Sequence, residues 1–271
     1  MSKSLLKYLV SFLYLLITIG YCLLVYYTVV IKERIKDIVP IIRGSTSTDL
    51  AILFTGIPIV MIFLLIFAKI FAYINFKIMS RFQLNYDHFI INIKNKNIST
   101  STFLSRVQVP MFLSLALSLL INSNSVFWGF FGIDPISSII FLSLILAPLS
   151  FILILPIWIF QDCGIIKLRK KSDNRVPPKL IYFGSFQYQS YRGFAGITTP
   201  IMYFLTIYSN LAKFNIIALI ILIYPLILPG FFIPALLIYD KMINKLSEKF
   251  PKWLKLPELT GEIIENYIFD K

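Results

Sequence analysis

The chain has 271 residues, of which 58% are hydrophobic and 14% charged, and its mean hydropathy is +0.80. A soluble chain is typically about half apolar and about a quarter charged, so part of this surface must face lipid; the apolar runs are long and unbroken, unlike the alternating segments of about ten residues in a barrel, which leaves helices as the spanning element. Two distant cysteines, Cys22 and Cys163, and a single histidine, His88, argue against a disulfide framework, a zinc site and most acid–base chemistry.

Residues 1–31 open with Lys3 and Lys7 and then run apolar from Leu5 to Ile31. That run is too long for a signal-peptide core and no small-x-small cleavage site follows, so it reads as a retained span. A spanning helix needs about 20 apolar residues. The candidates are 8–31, 50–76, 108–131, 135–160, 194–212 and 215–239, with 240–271 left as a cytoplasmic, interfacial tail. The fifth is interrupted at its start by Gly193, Gly196 and Pro200. Pro58, Pro148, Pro156, Pro225, Pro229 and Pro234 each remove an N–H and mark kinks or breaks, which makes a single straight rod unexpected for the sixth. The fold class is therefore an all-α, polytopic membrane bundle of about six helices.

Orientation follows from Lys and Arg. With the N-terminus inside, the inner segments hold Lys3 and Lys7, five cations between Lys77 and Arg106, seven between Lys167 and Arg192, and six between Lys241 and Lys271. The outer segments hold only Lys32, Arg34, Lys36, Arg43 and Lys213, and Lys69 falls within a span. Cytoplasmic loops retain cations, so both termini are expected in the cytoplasm. The same rule is the first explanation of the net charge of +13, with nucleic acid second.

Coupling-ion sites usually require buried acids or bases, and Lys69, near a span end, can snorkel. The spans instead carry neutral polar stripes at helical spacing. Ser114, Ser118, Asn122 and Ser125 share one face of the third; Thr199, Tyr203, Thr206 and Asn210 one face of the fifth; Ser11, Tyr14, Thr18 and Tyr21 one face of the first. They read either as the lining of a hydrated conduit or as helix–helix glue, in which each bond adds about 0.6 kcal/mol.

The segment 161–193 is basic in its first half, with Lys167, Arg169, Lys170, Lys171, Arg175 and Lys179, and aromatic in its second, with Tyr188, Tyr191 and then Arg192. Cations beside rings suit a nucleic-acid strand, and they equally suit anionic headgroups at an aromatic belt. The tail is basic from Lys241 to Lys255 around Trp253, then acidic at Glu258, Glu262, Glu265 and Asp270. Its basic half is expected on the inner leaflet and its acidic end free for a cytosolic partner.

No phosphate loop, nucleophile–base set or HExxH occurs, so no enzyme and no cofactor or metal is expected. An Ile-, Lys-, Tyr- and Asn-rich chain with these spans and inner basic loops resembles thermophilic archaeal membrane proteins, and among them the CedA-type membrane component of the crenarchaeal Ced DNA-import system. The resemblance is one of whole-chain profile. It implies a membrane channel working with small two-span membrane subunits and a HerA/VirB4-like cytosolic ATPase. Asp162-Cys163-Gly164 after the fourth span looks like a signature without an assigned role. The reading is a conduit subunit of a translocation system, DNA import the expected task, energised by a separate ATPase; a small-molecule transporter and a membrane scaffold remain the rivals.

Overall fold

The computed structural model describes residues 3–27, 46–84, 86–91, 100–122, 135–168, 180–208 and 223–259. They are mostly helical: α1 (Lys3–Tyr26), α2 (Thr46–Ile66), α3 (Ala68–Phe82), α4 (Thr100–Asn122), α5 (Pro135–Asp162), α6 (Ser185–Tyr208) and α7 (Pro229–Leu254), with short strands β1 (Asp87–Ile90), β2 (Ile165–Leu168) and β3 (Leu180–Tyr182). Among the described residues three helices are long and apolar enough to cross a membrane, over Leu5–Leu24, Leu142–Asp162 and Ile223–Leu254. A fourth is added if the bent pair Phe54–Ile66 and Ala68–Phe82 counts as one. The expected span 108–131 lies in α4 as far as Asn122, and its remainder, with 209–222, lies outside the described residues.

Two compact units divide the chain. The first comprises Met1–Phe63, Ile98–Phe151 and Tyr191–Leu237. Its helix α1 has the polarity expected of a helix that faces lipid. On α1, Lys7, Ser11, Thr18 and Tyr21 are buried while Leu9, Phe12, Leu13, Leu16, Ile19 and Leu23 are exposed. Thr18 shows why: its hydroxyl bonds the Tyr14 carbonyl at 2.8 Å and reaches the Ile227 carbonyl at 3.5 Å. Gly230 lies directly against it, and a Cβ there would collide with the threonine side chain. A missing side chain thus allows the close approach that membrane helices favour. Between 223–227 and α7, a turn at Leu228 interrupts the helix, and α7 restarts on Pro229, where a missing N–H costs nothing.

The second unit comprises Leu64–Asn97, Ile152–Ser190 and Ile238–Lys271. It holds the antiparallel sheet in order β1-β2-β3, with Phe89 opposite Ile166 and Lys167 opposite Ile181. The outer edge of β1 is covered by the chain after α7: Ile90 N–H donates to Pro257 at 3.0 Å and Leu259 N–H to Ile90 at 2.9 Å. That removes one unpaired edge. Against the sheet stands an aromatic core drawn from five places in the chain. Phe183 meets Phe76 at 4.8 Å, Phe160 edge-on at 4.9 Å and His88 at 5.2 Å, and Phe160 stacks on Phe250 at 6.3 Å. Such pairs add about 0.5–1.5 kcal/mol each beyond their area.

Helices α2 and α3 meet at Phe67 with a bend of 66°. No proline or glycine sits there; Pro58 lies within a continuous α2. Phe67 has φ −93° and ψ 2°, in the bridge region, and its N–H bonds Leu64 three residues back at 3.1 Å. Ala68 and Ala72, both fully buried, let α3 seat closely.

The triplet Asp162-Cys163-Gly164 ends α5 and turns the chain into β2. Gly164 has φ +67°, donates to Gln161 at 3.1 Å and accepts from Ile91 N–H at 2.9 Å. A Cβ at Gly164 would strike the Ile91 carbonyl oxygen. Gly164→Ala therefore meets both a left-handed backbone penalty of about 1–2 kcal/mol and a steric one. It should lower the thermal midpoint of the detergent-solubilised protein clearly, by more than about 2 kcal/mol in stability. Gly193→Ala, in helix α6 with open space around it, should raise stability by about 0.5–1 kcal/mol. Equal behaviour of the two in a thermal-shift assay would contradict the role given to Gly164.

Candidate functional site

The polar stripes fall on packed faces wherever their side chains are described. Ser114 and Ser118 are fully buried on α4 and donate to the Met111 and Leu115 carbonyls, each at 2.8 Å. Ser11 donates to Lys7 at 2.8 Å, and Thr199 of α6 donates to Phe112 of α4 at 3.0 Å. Tyr14 is half-buried, and Tyr21 tilts against Tyr224 at 6.2 Å. Asn122, Tyr203 and Thr206 lie on helices without a described side chain, and Ser125 and Asn210 lie outside the described residues. The structure thus brings together α1 with the turn before α7, and α4 with α6, through hydroxyl-to-carbonyl bonds. Sequence spacing did not single out the bond between Ser143 and Tyr224, at 2.6 Å, because it joins helices 81 residues apart.

The cationic segment is only partly described. Lys167 sits on β2, buried, with its ammonium 4.8 Å from the Tyr86 ring centre, and burial holds its pKa below the usual lysine range. Arg169, Lys170, Lys171, Arg175 and Lys179 lie outside the described residues. Tyr188 and Tyr191 are half-buried on α6 and Arg192 is exposed. The segment is therefore a strand pair leading into a helix, and its aromatic half is the first turns of α6.

Lys69 reaches the ring of Trp253, with Nζ 4.4 Å from the centroid. On α7 the apolar face is inside, with Ile243 and Phe250 buried, and Lys241, Lys245, Lys249 and Lys252 point outward. Helix α7 passes position 240 without a break.

One cleft of the second unit, about 310 Å³, opens between Ile90, Ile91, Asp162, Cys163, the α7 residues Ser247, Glu248, Pro251 and Lys252, and Leu256 and Glu258. Its charge runs against that of the chain: three acidic residues and one lysine are among its lining. One Asp162 oxygen accepts the Tyr239 hydroxyl at 2.7 Å, which fixes it in the wall. Among the described residues no cluster of His, Cys, Asp and Glu could hold a metal ion.

No protein family, curated protein or solved structure matches the chain. The class it belongs to is set by its own residues: a mostly helical protein with helices able to cross a membrane.

The one histidine offers a test of the second unit. His88 lies edge-on to Phe76 and Phe183 at 5.5 and 5.2 Å. Burial, then the Lys167 charge, holds its pKa below the ordinary value, opposed by Asp87. A depressed folded pKa means stability that is fully present above about pH 6.5 and is lost as pH falls toward the folded value. The thermal midpoint should drop between neutral pH and pH 5.5, and His88→Phe, which keeps a ring in the slot, should flatten that drop. An unchanged slope in the variant would remove His88 as its source.

Proposed function

We propose that this chain is a non-enzymatic, six-span membrane subunit of a translocation assembly, with both termini in the cytoplasm, DNA as its cargo and a separate cytosolic ATPase as its motor. The observation that carries the reading is the net charge of +13 together with its distribution, in which the segments assigned to the inner side hold most of the Lys and Arg. A polyanion at that face gains by counterion release. The buried hydroxyls bear on where a pathway would run. Ser11, Thr18, Ser114, Ser118 and Thr199 already donate to carbonyls within the chain. Such bonds fit a packing role for the stripes, and we place the hydrated path between subunits, where small membrane partners would complete its wall.

Topology has its own check. A cysteine at Ser45 should react with an impermeant reagent outside intact cells, and one at Ser172 should react only after lysis. The reverse pattern would overturn the orientation.

The cargo is tested by anisotropy titration of single-stranded DNA against detergent-solubilised protein at several salt concentrations. Replacing Arg169, Lys170 and Lys171 with Gln should weaken binding and flatten the salt slope by up to about one unit per lost contact. Tyr188→Ala with Tyr191→Ala should weaken binding by about 1–3 kcal/mol per unstacked base with little change in slope. No binding by the wild type at low salt would remove DNA as the cargo.

A further inference from the structure

Helix α3 presents a continuous apolar stripe on its exposed side. Phe67, Ile70, Ile74, Ile78 and Phe82 recur at steps of three and four and are 38, 48, 49, 52 and 82% exposed. The opposite face is packed. Ala68 and Ala72 are fully buried, and Phe76 stands in the aromatic core with His88 and Phe183. Beside the stripe, about 100° round the helix, runs a second row, Lys69, Tyr73 and Lys77. Tyr73 stacks on Trp253 at 4.5 Å, Lys69 lies 4.4 Å from the Trp253 ring centre and Lys77 lies 4.8 Å from the Tyr73 ring centre. The row is cation, ring, ring, cation.

Length and packing decide what covers the stripe. Past its polar first turn, α2 runs apolar from Leu50 to Ile66, about 25 Å of rise, which is within the range of about 17–25 residues for a spanning helix. Helix α3 has 15 residues, or about 22 Å, which is too short to cross and is bent 66° away at Phe67. Its packed face also adjoins a sheet that carries Asp87, His88 and Lys167, groups that do not belong in hydrocarbon. The sheet behind α3 therefore demands water-side surroundings and the exposed stripe demands apolar ones, while Trp, Tyr and Lys mark headgroup depth.

We infer that α3 lies in the membrane interface, parallel to the bilayer plane, with Ile70, Ile74 and Ile78 in the upper acyl region and Lys69 and Lys77 on anionic headgroup phosphates. This anchor fixes the second unit against the cytoplasmic leaflet. It rests on the proposed membrane orientation but not on DNA as cargo, so its failure and that of the DNA titration are separable.

The test uses the full chain in vesicles containing anionic phospholipid. Cys22→Ala removes the more accessible thiol, and Cys163, 4% exposed, is left in place as a buried, unlabelled group. Nitroxide is then attached at Ile70→Cys, Ile74→Cys or Ile78→Cys, and collision with oxygen and with a water-soluble nickel chelate gives the depth of each. An in-plane helix gives three equal, shallow depths. A helix that crosses gives depths changing steadily by up to about 12 Å over the eight residues, which would overturn the inference. Labels reached freely by nickel, or shielded from both reagents by a second copy or another protein, would overturn it too. Lys69→Gln with Lys77→Gln should make the three labels more nickel-accessible in anionic vesicles and leave them unchanged in zwitterionic ones. No difference between the two lipids would sink the headgroup contact.

Discussion

Lipid supplies no hydrogen-bond partner, and the hydroxyls of the first unit are placed as that constraint would require. A hydroxyl on a membrane helix must turn inward and find an acceptor within the protein, or it carries a desolvation cost of a few kcal/mol. Ser11, Thr18, Ser114 and Ser118 all take the nearest solution, a carbonyl three or four residues back on their own helix. Thr199 takes the more informative one, a carbonyl on α4, and so ties two helices together. With the polar groups turned inward, the leucines and isoleucines of α1 are left outside. The inversion relative to a soluble helix is what a lipid solvent would produce. Close approach follows from the same rule: Thr18 can reach toward Ile227 because Gly230 leaves room.

The second unit is organised differently, around rings rather than hydroxyls. Its strands have three or four residues each, too few to hold together by ladder bonds alone. What joins them is Phe183, fully buried, with Phe76, His88 and Phe160 around it. Each ring arrives on a different element, so the sheet, α3 and the end of α5 are held as one body. The turn at Gly164 belongs to this arrangement, because only a residue without a side chain passes the Ile91 carbonyl at that separation and at positive φ.

The helices were legible because their apolar runs are long, and the stripes were legible as faces because serine and threonine recur at helical spacing. Their role was not, since spacing alone does not distinguish a hydroxyl that glues helices from one that lines a path. The sheet was not legible either. His88-Phe89-Ile90 is too short for a period, and its partners on β2 lie about eighty residues away, at Ile165 to Lys167. The break at Phe67 has no proline or glycine to announce it, while Pro58, Pro148, Pro156 and Pro200, which do announce breaks, lie inside continuous helices. In lipid-facing helices a lost N–H can be compensated by neighbouring groups, so proline is a weaker stop signal than in water. Asp162-Cys163-Gly164 was conspicuous as a triplet, and its conspicuousness came from a turn that the backbone must make.

Helices α3 and α7 of the second unit divide their faces in opposite senses. On α7 the apolar side chains Ile243 and Phe250 are buried, and the exposed face is a row of lysines at positions 241, 245, 249 and 252, as water requires. On α3 both faces are apolar, one packed on the aromatic core and one exposed, with cations confined to the flank. Trp253 at the end of α7 lies against Tyr73 and Lys69 of α3, so the two helices are in contact where their characters differ most. An amphipathic indole packed on a tyrosine and a lysine is the kind of cluster that a headgroup layer accommodates, where ring, ammonium and acyl chain each meet a suitable neighbour. The second unit thus carries, in the pairing of two helices, the polarity gradient of the boundary it would occupy.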